Sequence, residues 1–179
     1  KLLNFTPRSI VDSRSRHRTM APQKEYENGH IQVSKTVNDL SNAGVKVNMG
    51  AHGQLQGLGA HWETWMLVQG GMSNFEALKA ATINGANYIG AGADIGSLEV
   101  GKLADLIILT ENPLDDIENT QTIEKVMANG HLYDANTMNE IGNYKTKRSK
   151  FYFEMDGYNQ GVPVNMKTNS FTTPTCSCH

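Results

Sequence analysis

Two histidines and two glutamines lie in a glycine-rich stretch whose residue types can do chemistry. The stretch reads NMGAHGQLQGLGAHWETW, residues 48–65, and contains His52, Gln54, Gln56 and His61. A neutral imidazole can coordinate zinc or accept a proton, and a side-chain amide can hydrogen-bond a polar substrate. The same residues also fit a plain strand-to-helix connection, in which His52 bonds a neighbouring carbonyl, His61 is a packing or capping group and the amides face solvent. The residue types alone leave both interpretations open.

A second candidate lies near the start of the chain, where the run RSRHR contains Arg14, Arg16 and His17. Guanidinium groups can hold an anionic substrate group through paired hydrogen bonds. The alternative is a solvated basic loop. The glycines of the chain form neither a phosphate-binding G-x-x-x-x-G-K-[ST] loop nor a dinucleotide fingerprint, because no suitable strand–helix–strand unit surrounds them.

Strands and helices alternate around these candidate residues. The predicted elements are, in order, a strand over 9–12, a helix over 24–43, a strand over 45–49, and helices over 60–71 and 74–90. Gly44 fits the end of the first helix. Ser73 and Glu76 have the spacing of a capping box at the start of the last one. This order is typical of an α/β layer or barrel.

From Asp94 onwards the pattern changes to short strands. The run from Asp105 to Leu109 is strongly apolar, and Asn129-Gly130 separates two strand-like runs, which predicts a hairpin with a type I′ turn. Residues 134–143 predict a short helix, and the polar residues 144–179 predict an extended arm or tail. The chain is therefore expected to divide into residues 1–93, 94–143 and 144–179.

Composition excludes several classes of function. The chain has 179 residues, 39% of them hydrophobic, and a formal net charge of −2. Because acidic and basic residues are interspersed, no basic stripe is present for nucleic acid. No apolar window approaches the ~20 residues that a transmembrane helix requires. The length supports one ordinary hydrophobic core.

The sequence resembles the C-terminal part of the amidohydrolase superfamily, in particular the imidazolonepropionase-like amidohydrolases that are often fused to a TolB-type β-propeller. The resemblance is carried by residues 42–90, by DIGSLEVGKLADLIILTENPLDDI and by VMANGHLYD. It extends over roughly residues 10–143, most of the chain. The loop SRSRHRTMAP is similar to that of the propeller-linked subgroup.

The resemblance implies an α/β fold: the C-terminal portion of a (β/α)8 TIM-like barrel plus part of a small β-sandwich. Residues 1–93 would hold the last strands and helices of the barrel, and residues 94–143 the sandwich segment. The family's H-x-H metal pair has no counterpart in this sequence. We therefore expect a fragment or a processed product, completed by the remainder of the barrel or by self-association. The resemblance is compatible with a secreted or periplasmic protein and does not decide the compartment.

The resemblance also implies roles for the candidate residues. In this superfamily an aspartate after the last barrel strand binds metal and accepts the proton of the attacking water, and the aligned residue here is His52. The implied cofactor is a divalent metal, first of all zinc, with His52 as its ligand and as the proton acceptor. The implied substrate contacts are Gln54, His61, Arg14, Arg16 and His17.

The implied reaction is hydrolysis of an amide-type or cyclic C–N bond by metal-activated water. The substrate would be a small molecule or peptide-like. Since His52 replaces an aspartate, the alternative is a degenerate, non-catalytic amidohydrolase-like module with a binding or assembly role.

Overall fold

The computed structural model describes residues 5–7, 29–51 and 57–155. The chain divides into two units, Lys1–Arg148 and Ser149–His179. The elements of the first unit are α1 (His30–Asn42), α2 (Leu58–Gln69), α3 (Asn74–Ala80), α4 (Ile83–Tyr88), β1 (Leu106–Leu109), a 3-10 helix (Ile117–Gln121), β2 (Ile123–Ala128) and β3 (His131–Asp134). The strand predicted over 9–12 lies outside the described residues.

In the second unit, a single turn of 3-10 helix covers Tyr152–Glu154. The backbone N–H of Phe151 donates to Glu154 Oε2 at 2.8 Å, which closes this turn. The remainder of the predicted C-terminal arm, residues 156–179, lies outside the described residues.

Helices α1 and α2 approach each other closely at a glycine. Ser34 of α1 is 4% exposed. A Cβ atom at Gly70 would lie only 2.5 Å from the Cβ of Ser34, so glycine is needed where the chain leaves α2. Of the apolar residues that predicted α1, Val37 packs against the core, whereas Val33 is 64% exposed. The contact with α2 therefore sets the inward face of α1.

The single helix predicted over 74–90 is wrong, because the structure contains two short helices with a break at Thr82. The Thr82 hydroxyl donates to the carbonyl of Leu78 at 2.7 Å, the type of back-bonding that bends helices. The predicted N-cap is confirmed, since Ser73 Oγ accepts from the backbone N–H of Glu76 at 3.2 Å. The Glu76 carboxylate itself accepts from Lys79 Nζ at 2.9 Å.

The hydrophobic core is small and lies between the helices and the 3-10 helix. Its buried members are Leu67, Met72, Ala77, Ala80 and Ile117. Among the described residues, no large side chain has an exposed fraction below 2%. The described residues therefore bury less apolar surface than a complete domain of this length would be expected to bury.

Residues 45–49 are extended but form no strand ladder within the described part of the chain, so the strand predicted there is wrong. The backbone N–H of Met49 donates to the carbonyl of Ala80 at 3.0 Å. The Asn84 amide donates to the carbonyl of Val47, also at 3.0 Å. A strand requires backbone bonds to a neighbouring strand, and here the helical segments take these bonds instead.

Three antiparallel strands form a sheet in the order β1-β2-β3. The predicted apolar strand is confirmed as β1, and its Leu106 pairs with Met127 of β2. The predicted hairpin is also confirmed, because Ala128 pairs with His131 across the two-residue turn. Asn129 and Gly130 have φ angles of 49° and 79°, as a type I′ turn requires.

The short helix predicted over 134–143 is wrong, because this segment is a turn. Asp134 Oδ1 accepts from the backbone N–H groups of Asn136 and Thr137 at 3.1 Å and 2.9 Å. The segment then pairs back onto β3, because the backbone N–H of Ile141 donates to the carbonyl of Leu132 at 2.8 Å, and this pairing replaces a continuing helix. Met138 then adopts a φ angle of 57°, which returns the chain toward β3.

Within the described ranges, we find no helix that combines the length and the apolar character needed to cross a bilayer.

Candidate functional site

The extended segment 45–51 leads into the glycine-rich loop, and its last residues are fixed by helix α2. The backbone N–H of Gly50 donates to Glu63 Oε1 at 2.9 Å. Thr64, the next residue of α2, is buried and lies within 3.8 Å of the Met49 sulfur through its hydroxyl. One turn of α2 therefore sets the point from which the loop begins.

His61 is the fourth residue of α2, slightly deeper in the helix than the sequence pattern predicted. Its Nδ1 lies 3.0 Å from Thr120 Oγ1. Trp65, one turn further along α2, donates its indole N–H to the same oxygen at 2.9 Å. Burial lowers the pKa of His61 from its ordinary value of 6.5, because removing the imidazole from water disfavours its charged form. The lowered pKa favours the neutral imidazole of His61 at pH 7.

Asn48 contains a buried polar atom without a partner among the described residues. Its Oδ1 is shielded from solvent and accepts no hydrogen bond from them. An unsatisfied buried acceptor costs about 1–3 kcal/mol, so native proteins rarely keep one. Asn48 lies in the extended segment just before the glycine-rich loop. A donor to Asn48 Oδ1 would have to come from outside the described residues.

Most of the candidate residues predicted from sequence lie outside the described residues. They are His52, Gln54, Gln56, Arg14, Arg16 and His17. The structure therefore places only His61 among the predicted substrate contacts, and the roles predicted for the others remain predictions.

The described residues do not form a metal site by themselves. Across residues 5–7, 29–51 and 57–155, no three His, Cys, Asp or Glu side chains are grouped so that they could hold a metal ion. Glu63 and His61 are the acidic and imidazole groups of α2, and both already have hydrogen-bond partners, Gly50 and Thr120. The donor set of the described chain does not fit a metal centre without further ligands.

Thr120 and Asn48 are the site residues that sequence reasoning missed. Thr120 is 7% exposed and lies in the 3-10 helix, 59 residues after its partner His61. No spacing rule connects a threonine in a short 3-10 turn with a histidine so far away in the chain. The run VNM contained the only signal for Asn48, a polar residue between two apolar ones.

Comparison with known proteins gives these features a context. Imidazolonepropionase of Symbiobacterium thermophilum is 62% identical over 40 residues, which cover 22% of this chain and 9% of the relative. Ochratoxinase of Aspergillus niger is 36% identical over 95 residues, which cover 51% of this chain and 20% of the relative. The chain thus spans a fifth or less of the length of these two curated relatives.

A solved structure supports the same grouping. The crystal structure of a Xaa-Pro dipeptidase with methionine bound in its active site matches with a TM-score of 0.54 and 28% sequence identity. The match covers 70% of this chain and 32% of the dipeptidase. The model of the amidohydrolase family matches residues 12–133, more than half of the sequence. The chain therefore belongs to the amidohydrolase family.

Proposed function

We propose that this chain is the C-terminal part of a metal-dependent amidohydrolase that hydrolyses an amide-type or cyclic C–N bond. The observation that carries the proposal is the family match over residues 12–133. The local geometry is compatible with it, because an extended segment, a glycine-rich loop and helix α2 follow one another as a strand, loop and helix do in a (β/α)8 barrel. The three-stranded sheet would then be part of the small sandwich domain.

The metal, zinc in the first instance, would take His52 as one ligand and its remaining ligands from outside this chain. When bound, such a metal supplies a water molecule of lowered pKa and polarises the carbonyl that is attacked. Because the described residues contain no complete set of metal ligands, we assign them other tasks.

Those tasks are to orient the loop and to bind the substrate. The bond between Gly50 and Glu63 fixes the start of the loop that contains His52 and Gln54. His61, held by Thr120, would contact a carbonyl or carboxylate oxygen of the substrate. Arg14, Arg16 and His17 would bind an anionic group, which suits a small-molecule or peptide-like substrate with a free carboxylate.

The proposal also requires a partner for the exposed sheet. Ile107 and Ile108 are consecutive residues of β1, so their side chains lie on opposite faces, and they are 50% and 37% exposed. Leu98, before β1, is 80% exposed. Open faces and an edge strand promote association. We propose that the remainder of the barrel and sandwich covers them, or a second copy of the chain.

A second candidate is a non-catalytic amidohydrolase-like module that binds or assembles. Two observations favour it: His52 stands where the superfamily usually has an aspartate, and the described residues contain no metal-binding group. Upstream sequence with an H-x-H pair and two further histidines would favour the enzyme, and its absence would favour the module.

The test is a hydrolysis assay, with zinc added, on the purified assembly that contains this chain together with the remainder of the barrel. Suitable substrates are an imidazolone, an N-acyl aromatic amino acid and an Xaa-Pro dipeptide. We expect turnover of at least one substrate, loss of turnover with a chelator and recovery with zinc.

The His52→Ala variant should lower kcat/KM by more than roughly 100-fold. Mutation of residues that only hydrogen-bond a metal ligand already lowers metal affinity or activity by about 10–100-fold. The matched control is His30→Gln, which removes a histidine of α1 that bonds Gln69 of α2. Turnover that survives both the chelator and His52→Ala would contradict the proposal.

A further inference from the structure

Thr120 connects two aromatic side chains of α2 to the 3-10 helix. Its Oγ1 lies 3.0 Å from His61 Nδ1 and 2.9 Å from Trp65 Nε1. The threonine is 7% exposed, so water competes little for its hydroxyl. We refer to His61, Trp65 and Thr120 as the Thr120 cluster.

The direction of each hydrogen bond in the Thr120 cluster follows from the available donors and acceptors. A threonine hydroxyl has one proton to donate and two lone pairs, whereas an indole N–H can only donate. Trp65 therefore occupies one lone pair of Thr120. Within the described chain, the Thr120 hydroxyl makes these two hydrogen bonds, so its proton has His61 Nδ1 as its acceptor.

We propose that Thr120 is a positioning residue that holds His61 as the neutral tautomer protonated at Nε2. An Nδ1 atom that accepts from a hydroxyl cannot carry a proton itself, so the proton of the neutral ring lies on Nε2. Burial of this imidazole also favours its neutral form, as the lowered pKa of His61 indicates.

This tautomer limits what His61 can do. With Nδ1 accepting from Thr120 and Nε2 protonated, the ring has no lone pair free to bind a metal or to accept a proton from water. Nε2–H can instead donate to an oxygen acceptor, and within the described residues it has no protein partner. The acceptor class is the carbonyl or carboxylate oxygen of an amide-type substrate, an identification that rests on the proposed function.

The tautomer is measured directly by long-range ¹H–¹⁵N NMR of the histidine rings of the full chain. His61 is assigned by the signal that disappears in His61→Gln, one of six histidines in the sequence. At pH 7 we expect Nε2 to resonate as a protonated nitrogen and Nδ1 as an unprotonated one. The opposite pattern in the unmodified protein would overturn the proposal, and this result needs no variant that might fail to fold.

Three variants separate positioning from packing. Thr120→Ser keeps the hydroxyl and should keep the tautomer. Thr120→Val keeps the shape, loses the hydroxyl, and should give a mixture of tautomers. Trp65→Phe removes the indole donor but leaves the Thr120 hydroxyl proton and its acceptor Nδ1, so the tautomer should persist. An unchanged tautomer in Thr120→Val would show that the hydroxyl does not set it.

A kinetic comparison then tests the link to substrate. Thr120→Val should lower kcat/KM about tenfold, the contribution of one ordinary hydrogen bond, and Thr120→Ser should restore it. If no substrate is turned over, the proposed function fails, while the NMR pattern still decides the tautomer. If turnover is present and the tautomer is the opposite one, the inference fails and the proposed function stands.

Discussion

Two regions of the molecule differ in how completely their hydrogen-bonding groups find partners among the residues of the same region. In the β region, residues 94–134, the backbone N–H of Leu103 donates to the carbonyl of Asp94 at 2.9 Å, and that of Gly130 to the carbonyl of Ala104 at 3.2 Å. In the loop region, residues 45–69, the extended segment has no strand partner in the described chain, and Asn48 Oδ1 is buried without a donor.

This difference shows which part of the fold is held by bonds within one segment and which part depends on residues elsewhere in the chain. The β region is held by bonds among its own residues, within the GKLADL element and across to the hairpin, including Asn129 N–H to Asp105 Oδ1 at 2.6 Å. The loop region depends on groups far away in the sequence, such as Asn84 and Thr120. We expect substitutions in the β region to act through backbone strain, with an added contact with α4 at Gly96, and substitutions in the loop region to act through contacts between helices.

The largest expected effect concerns two glycines with nearly the same backbone conformation. Gly96 and Gly101 have φ angles of 91° and 97°, so alanine is strained at both, by about 1–2 kcal/mol. A Cβ at Gly96 would also lie 2.6 Å from the Ala86 Cβ, whereas at Gly101 nothing lies within 4 Å. We expect Gly96→Ala to lower the free energy of unfolding by about 2–4 kcal/mol.

Gly101→Ala is the matched control and should cost only the conformational strain. Urea denaturation of both variants measures the difference. Equal losses would mean that the contact of Gly96 with α4 contributes nothing, and the β region would then be independent of the helices.

The next effect concerns the contact between α1 and α2. A Cβ at Gly70 would meet the Ser34 Cβ at 2.5 Å and the Ser34 backbone, which is not the end of a flexible side chain. Gly70→Ala should therefore lower the free energy of unfolding by about 1–3 kcal/mol. Gly85→Ala, inside α4 with nothing within 4 Å, is the control and should be neutral or stabilising by up to about 1 kcal/mol. A Gly70→Ala variant as stable as Gly85→Ala would show that α1 and α2 do not pack as described.

A smaller effect is expected at Asp105, which bonds the hairpin turn. Asp105→Ala removes the acceptor for the Asn129 N–H and should cost about 1 kcal/mol, since the group is exposed. Asp115→Ala removes a carboxylate that is also exposed and controls for the change of charge. Thermal denaturation distinguishes the two, and identical melting temperatures would mean that the turn residues alone form the hairpin.

The smallest effect is a dependence of stability on pH through His61. Because burial lowers the pKa of His61 on folding, the unfolded chain binds more protons than the folded one below the ordinary pKa of 6.5. The contribution is fully present above about pH 6.5 and is lost as the pH falls toward the folded pKa. The difference in unfolding free energy between the unmodified protein and His61→Gln should therefore shrink on acidification. A difference that stays constant between pH 7 and pH 5 would contradict a buried neutral imidazole.

Sequence predicted the features whose signals are local. β1, the Asn129-Gly130 turn and the Ser73 cap each depend on a few adjacent residues, and all three are confirmed. The helix predicted over 134–143 fails because Glu140 and Ile141 pair back onto β3, a contact that the local pattern does not reveal. The strand predicted over 45–49 fails because pairing depends on strands that the local pattern cannot supply. Of the predicted site residues, only His61 lies within the described part of the chain. Its partner Thr120 could not be predicted, because it is distant in the sequence.

We propose that this chain supplies the C-terminal part of a metal-dependent amidohydrolase and acts together with further chain. Native mass spectrometry with metal analysis on the protein as purified tests this most directly. The account predicts an assembly heavier than the 19.7 kDa chain that contains one or more zinc-like ions. A metal-free species of 19.7 kDa that unfolds in one sharp transition would contradict it.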